Sequence, residues 1–278
     1  MRLIAFGGDA RMLGALDAAK KAGWETTYIC GEADMTQDIA VADAVLLPWP
    51  HSFQDDLLCG TQLSRTRVLE SLPTCTLLLH GGGVQAQELT MAEHAMNPAQ
   101  DEVFLRANAR LTAEGAIHRA MERPGRALLG DTVLITGFGR IAQELAVRLV
   151  AMGSFVIVCA RNEQQMRRAH EIGAHPVPLG QAASACRQAD VIMNTVPAHV
   201  LGKNELDKIR QDALVVELAS PPYGMNVELA RHMGLSVLIE GGLPGRYAPM
   251  NAGAALFDVI ERKWAQICEN TERSGKHE

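Results

Sequence analysis

The chain has 278 residues, 47% of them apolar and 21% charged, with a net charge of −6. That length suits two domains, each with enough apolar material for its own core. The acidic balance, and an aromatic content of 4% with no basic residues interleaved, exclude a chain-wide pull toward nucleic acid or an anionic membrane.

RLIAF predicts a first strand, GGDAR a glycine turn, MLGALDAAKKAG a helix and TTYIC a second strand. The opening MRLIAFGGD enters that strand and turn at once, so no signal peptide is expected and a cytoplasmic setting is. ADAVLLPWP adds an apolar run, and TCTLLLH leads into glycines at 81–83. Strands alternating with helices indicate a parallel sheet covered on both faces. This is a first domain over residues 1–107. Residues 84–107 read as helical, interrupted at Pro98. Thr112 is the expected N-cap of TAEGAIHRAMER, with Glu114 in the first turn, where the dipole favours a carboxylate. That helix connects the domains.

The second domain, 108–249, repeats the alternation more clearly. TVLIT, SFVIVCAR, ADVIMNTVP, DALVVELAS and LSVLIE are strands, with helices over FGRIAQELAVRLVAMG and NEQQMRRAHEIG. A long helix follows over NAGAALFDVIERKWAQICE, about 250–270, and by analogy with two-domain folds it packs back on the first domain. The tail TERSGKHE is expected to fray. The fold class is α/β, with two Rossmann-like parallel-sheet domains joined by a connecting helix. No apolar run approaches the ~18–20 residues of a membrane span. The six cysteines are scattered with no CxxC, and neither a metal site nor a redox pair is expected.

Two glycine turns compete for one cofactor. Gly137-Phe138-Gly139-Arg140-Ile141-Ala142 follows a strand and opens a helix, and fits G-x-G-x-x-G/A. Gly137 allows the tight turn, Gly139 lets a pyrophosphate approach backbone, and Ala142 keeps helix and strand close. The next strand ends Cys159-Ala160-Arg161-Asn162. Ala160 stands where NAD enzymes place an acid, and Arg161 suits a 2′-phosphate, so NADP is expected over NAD. Glu163 leaves some room for NAD. Two further strand ends, Asn194-Thr195-Val196-Pro197 and Glu217-Leu218-Ala219-Ser220, are expected to wall the nicotinamide-ribose half. GGDARMLG lacks the full spacing and is read as the substrate side of an interdomain cleft.

GGDAR, TAEGAI, GFGRIA, NTVP, ELASPP and GLPGRYAPMNAG follow one another as in the family of dipicolinate synthase A subunits, which the chain resembles over about 105–260. The resemblance implies an enzyme: NADP-linked oxidation of dihydrodipicolinate to dipicolinate, partnership with a flavoprotein-like B subunit, and the mother cell of a spore-former. A small dicarboxylate substrate and further copies of the chain complete the expected partners. Pro221 stands where the family commonly has Arg, and Met250-Asn251 where it often has Lys-Thr. These departures bear on substrate identity.

A dianionic substrate calls for cationic or N–H donors. Asp9 and Arg11 in the first turn, Gly81 with His80 beside it, Thr112, Ser220 and Arg246 are the substrate candidates. His80 and Glu114 are the acid/base candidates, and Leu243 and Pro244 join the cofactor set. Two rival readings stand beside this one. The D-2-hydroxyacid dehydrogenases share the two-domain plan but use a His, absent from APMNAG, and an Arg, absent from LASPP. An NADP-binding regulatory or scaffold protein without activity of its own is the other.

Overall fold

The computed structural model describes residues 1–36 and 41–274. Its contacts divide the chain into two compact units: Met1–Asn108 with the C-terminal stretch from Pro244, and Ala109–Leu243. The first unit begins with β1 (Arg2–Phe6), α1 (Ala10–Lys21), β2 (Glu25–Ile29) and β3 (Val41–Leu46). A hairpin of β4 (Phe53–Gln54) and β5 (Leu57–Leu58) follows, then α2 (Arg65–Ser71), β6 (Thr74–Leu79) and β7 (Ala92–Met96). The five-stranded sheet runs β2-β1-β3-β6-β7, every pair parallel. Its strands are near-continuous apolar runs because helices and loops cover both faces. Leu3, Ile4, Ala5 and Phe6 are all 0% exposed.

β7 corrects the expectation of helix over 84–107. AEHAM has little strand propensity and three exposed residues. It is an edge strand whose backbone pairs with β6 and whose Glu93 and His94 side chains face solvent. Helix α3 (Glu102–Met121) starts earlier than expected. The Asp101 carboxylate accepts the Phe104 N–H at 2.8 Å, and acts as the cap. Thr112 therefore lies buried in mid-helix, not at an N-terminus, and Glu114 gains nothing from the dipole there.

In the second unit, β8 (Thr132–Thr136), α4 (Arg140–Ala151), β9 (Phe155–Ala160), α5 (Glu163–Glu171) and β10 (His175–Pro178) come first. Helix α6 (Ala182–Gln188), β11 (Val191–Asn194), α7 (Lys203–Leu206), β12 (Leu214–Glu217), α8 (Val227–His232) and β13 (Ser236–Ile239) complete it. The sheet order is β10-β9-β8-β11-β12-β13, again all parallel. The order reverses between β8 and β11. In such sheets ligands bind at that switch point, beyond the carboxyl ends of the strands.

After the short helix α9 (Leu243–Tyr247), α10 (Pro249–Ser274) packs on α1 of the first unit, as expected. The approach is close enough to require glycine on both helices. A Cβ on Gly14 would sit 2.8 Å from the Met250 Cα, and one on Gly253 would run into the Arg11 carbonyl oxygen. Trp24 then meets Phe257 edge to face at 5.6 Å between ring centroids. The tail continues the helix through Ser274; its last four residues lie outside the described ones. No helix among the described residues is long and apolar enough to cross a membrane.

Candidate functional site

The second-unit glycine turn lies at the β8/β11 switch point and borders a cleft of about 390 Å³. Gly137 has φ +84°, and a Cβ there would come within 2.6 Å of the Val196 Cγ2. A side chain at that position is therefore excluded by conformation and by space. Gly139 is the N-cap of α4 and has nothing within 4 Å of a built Cβ. Its missing side chain leaves room, rather than relieving a contact. The helix beyond it offers N–H groups and a positive dipole end, as an anion requires. Phe138 is 4% exposed and anchors the turn in the core, while Arg140 is exposed and Ile141 half-buried. Thr195, Val196 and Pro197 form one wall of the cleft, and Arg161 stands at another. Ala160 is buried, so nothing beside Arg161 competes for a ribose phosphate. The Asn162 side chain caps α5 by accepting the Gln165 N–H at 2.9 Å.

The first-unit turn is closed by the protein itself. The Gly8 N–H donates to the Cys59 carbonyl at 2.6 Å, and the Gly7 N–H to that of Ile29 at 2.8 Å. A Cβ on Gly60 would collide with the Gly8 backbone. The loop after β5 thus occupies the ground where a pyrophosphate would approach. The α1 N-terminus is taken too: Asp9 Oδ1 accepts the Arg11 N–H at 3.0 Å.

Asp9 also holds the Arg11 side chain through Nε at 2.9 Å and Nη2 at 2.8 Å. Burial alone would raise the Asp9 carboxyl, but the hydrogen bonds from Arg11 outweigh it and its pKa is lowered. The guanidinium lies 5.8 Å from the Trp49 ring centroid, and the Trp49 indole N–H donates to Asn97 Oδ1 at 3.2 Å. Arg11 is thereby oriented on two sides. Gly245 sits against the same pair, a Cβ there falling 2.9 Å from Asp9 Oδ2. This brings α9, which carries the exposed Arg246, next to Arg11. His80 follows β6, with its ring Nδ1 2.8 Å from the Gly81 carbonyl oxygen. A carbonyl only accepts, so Nδ1 carries a proton, and in the neutral ring the lone pair is then on Nε2.

Several expected contacts do not hold. The Gly81 N–H donates to Ser52 Oγ at 2.8 Å and the Gly82 N–H to the Pro50 carbonyl at 2.7 Å, so neither is offered to a ligand. These glycines serve packing, since a Cβ on Gly81 would lie 2.6 Å from the Pro48 carbonyl oxygen. Leu243 is 0% exposed, packed on Gly115 in the core, and Pro244 is buried as well. Asn194 is 0% exposed and supports the cleft wall from beneath instead of forming it. Glu114 is exposed and lies 3.5 Å from Arg148 in the last turn of α4. At ~1.5 Å per residue that is roughly 13 Å along the helix from Gly139, which separates Glu114 from the glycine turn. Ala219 is half-buried and Ser220 exposed beyond β12.

Residues 102–222 match the family described as D-isomer specific 2-hydroxyacid dehydrogenase, NAD binding domain. The matched stretch takes in most of the second unit, which thus resembles a nicotinamide-nucleotide-binding domain of the dehydrogenase type. A 156-residue stretch is 31% identical to the A subunit of dipicolinate synthase from Bacillus subtilis (strain 168). That stretch is 56% of this chain and spans about half the relative, 52% of its length. A solved A subunit of dipicolinate synthase from Bacillus halodurans is 26% identical, with TM-score 0.78 over 94% of this chain and 96% of that one. The chain resembles the dipicolinate synthase A subunits in sequence and in fold. The solved Bacillus subtilis protein, 22% identical, shares the fold with TM-score 0.80 over 97% of each chain.

Against the dipicolinate synthase A subunits, the departures at Pro221 and Met250-Asn251 now have places. Pro221 follows the exposed Ser220 beyond β12, and Met250 opens α10 where its backbone packs on Gly14. Trp49, Gln165 and Leu179 belong to the two sites but carry no motif. Gln165 and Leu179 line the nucleotide cleft. Leu179 follows β10, whose sequence HPVP holds two prolines and reads as loop; it is tolerated because β10 is an edge strand.

Proposed function

We propose that the chain is an NADP-dependent oxidoreductase that dehydrogenates dihydrodipicolinate to dipicolinate as the A subunit of a dipicolinate synthase. Its partner is a flavoprotein-like B subunit, and its setting the mother cell of a spore-forming bacterium. The observation that carries the reading is Arg161 beside the open Gly137–Ala142 turn, in a chain with this resemblance. The residues present suit the dinucleotide: a side-chain-free approach at Gly139, a helix N-terminus for the pyrophosphate, and a guanidinium for the 2′-phosphate.

When bound, the nicotinamide supplies the hydride acceptor, and aromatisation of the substrate ring provides driving force. The protein's task is then to orient a dicarboxylate and take up one proton. Arg11, fixed by Asp9 and Trp49, is the carboxylate donor, with Arg246 nearby for a second anionic group. His80 accepts the proton at Nε2, and this role falls to it rather than to Glu114. Changing Arg11 to Ala is expected to raise the apparent KM for the dicarboxylate about 10- to 100-fold, the worth of a charge-assisted pair. Nucleotide affinity is expected to stay within about twofold; an unchanged KM removes Arg11 from the site.

The decisive assay is NADPH formation from freshly generated dihydrodipicolinate, with and without a B-type subunit. Turnover supports the proposal. Rapid reduction of 2-keto acids by NADPH instead points to 2-hydroxyacid chemistry, against which the absent His and Arg argue. Nucleotide binding without turnover, even with the B-type subunit, points to a regulatory role.

A further inference from the structure

Three side chains, each 0% exposed, join the carboxyl ends of adjacent strands under the nucleotide cleft: Thr136 of β8, Asn194 of β11 and Glu217 of β12. Thr136 Oγ1 donates to Asn194 Oδ1 at 2.5 Å, and Asn194 Nδ2 donates to Glu217 Oε1 at 2.6 Å. The same Asn194 amide reaches up into the wall. Nδ2 donates to the Val196 carbonyl at 3.0 Å and Oδ1 accepts the Val196 N–H at 3.2 Å. Glu217 also accepts the N–H groups of Ala219 and Gly224, each at 2.9 Å. A Cβ on Gly224 would run into the Asn194 side chain, so the amide is confined on that side as well.

A wholly buried carboxylate is costly to desolvate, and an apolar residue in its place would leave the Asn194 amide and the Ala219 and Gly224 N–H groups unpaired. Its value lies in what only an acceptor can do. An ionised carboxylate has no proton to donate. It admits the Asn194 amide in one orientation, Nδ2 inward, and that orientation leaves Oδ1 for the Val196 N–H. Rotated by half a turn, the amide would set oxygen against oxygen at Glu217 and N–H against N–H at Val196. We propose that Glu217 is a positioning residue for nucleotide binding: it locks the Asn194 amide, and through it the Thr195-Val196-Pro197 wall of the cleft. This rests on the nucleotide-binding reading of the second unit.

The Val196 carbonyl and N–H favour the same amide orientation, and the lock is strongest while Glu217 is ionised. Burial pushes its carboxyl up from the ordinary value, opposed by the Asn194 amide and the N–H groups of Gly224 and Ala219. Among the described residues these are the groups acting on it; no charged side chain does. Protonation gives Glu217 an O–H that tolerates either amide orientation, so affinity is expected to fall as pH drops through this ionisation.

The test is titration of the full chain with NADP⁺ and with NAD⁺ alone, from about pH 8 down to the lowest pH at which the protein stays folded, for wild type and Glu217→Gln. Thermal unfolding is recorded for each. The wild type is expected to lose about tenfold in affinity for both nucleotides across one ionisation, the worth of one charge-assisted hydrogen bond. Glu217→Gln is expected to start about tenfold weaker at the alkaline end and to lack that step. Ionisation of the 2′-phosphate affects NADP⁺ only, and both proteins alike, so it does not mimic the step. A glutamine variant that binds like wild type, or that keeps the wild-type pH profile, overturns the inference. If that variant does not fold, the wild type decides: the Asn194 side-chain amide resonances must titrate with the same midpoint as NAD⁺ affinity, and a flat profile overturns the inference. A wild type that binds neither nucleotide at the alkaline end overturns the nucleotide reading itself, and this inference with it.

Discussion

Replacing Gly139 by valine is expected to leave the unfolding temperature within about 2 °C of wild type while cutting nucleotide affinity more than about 100-fold. The two halves of this expectation come from the same geometry. Gly139 has φ −78° and ψ −169°, a conformation open to any residue. A Cβ built there meets nothing within 4 Å, so the unliganded protein has no reason to resist the change. The space it fills is the approach of the pyrophosphate to the N-terminus of α4. Pushing the phosphates away forfeits several charge-assisted hydrogen bonds at once, each worth about 1.5–3 kcal/mol. Gly137 offers the contrast. It has φ +84° and a Cβ there would clash with Val196, so valine at 137 is expected to lower stability together with binding. Calorimetric titration with NADPH, paired with thermal unfolding, separates the cases. A Gly139→Val protein that unfolds normally and binds normally removes GFGRIA as the pyrophosphate cradle.

That contrast also shows where sequence patterns suffice. The strands buried on both faces, such as TVLIT and TCTLLL, announce themselves because burial selects continuous apolar runs. The edge strands AEHAM and HPVP do not, because half their environment is solvent and backbone pairing alone holds them. The start of α3 is hidden for a similar reason: Asp101, its cap, follows two short turns and resembles any loop acid. GFGRIA is legible as a strand–turn–helix with open space at Gly139, since its spacing is itself the geometry. The closing of GGDAR by the loop around Cys59 depends on residues some 50 positions away, and no local pattern encodes it. The same limit applies to Asn194. As the last residue of an apolar strand it looks like a cleft wall, but Glu217, 23 positions on, turns its amide inward.

On the proposed NADP reading Arg161 holds the 2′-phosphate, and its replacement by alanine is expected to weaken NADPH binding about 30- to 100-fold while changing NADH binding less than about threefold. Arg161 is exposed at the end of β9 and borders the cleft. Its backbone N–H donates to Gln165 Oε1 at 3.3 Å, a contact that alanine keeps. The start of α5 is held independently by Asn162, so the loop has no cause to move. Only the guanidinium is lost, and with it a planar pair of donors matched to a phosphate. Glu163, the acid nearest to Arg161 in sequence, lies 3.5 Å from Arg167 one turn along α5. Ala160 brings no carboxylate. The wild-type preference for NADPH is therefore expected to narrow as salt rises, because an exposed phosphate–guanidinium pair is screened. In the alanine variant that salt dependence is expected to vanish. Affinities for both nucleotides, measured at low and high salt in both proteins, test the assignment. Equal losses of NADPH and NADH binding, or a salt dependence that survives the substitution, show that the 2′-phosphate is held elsewhere.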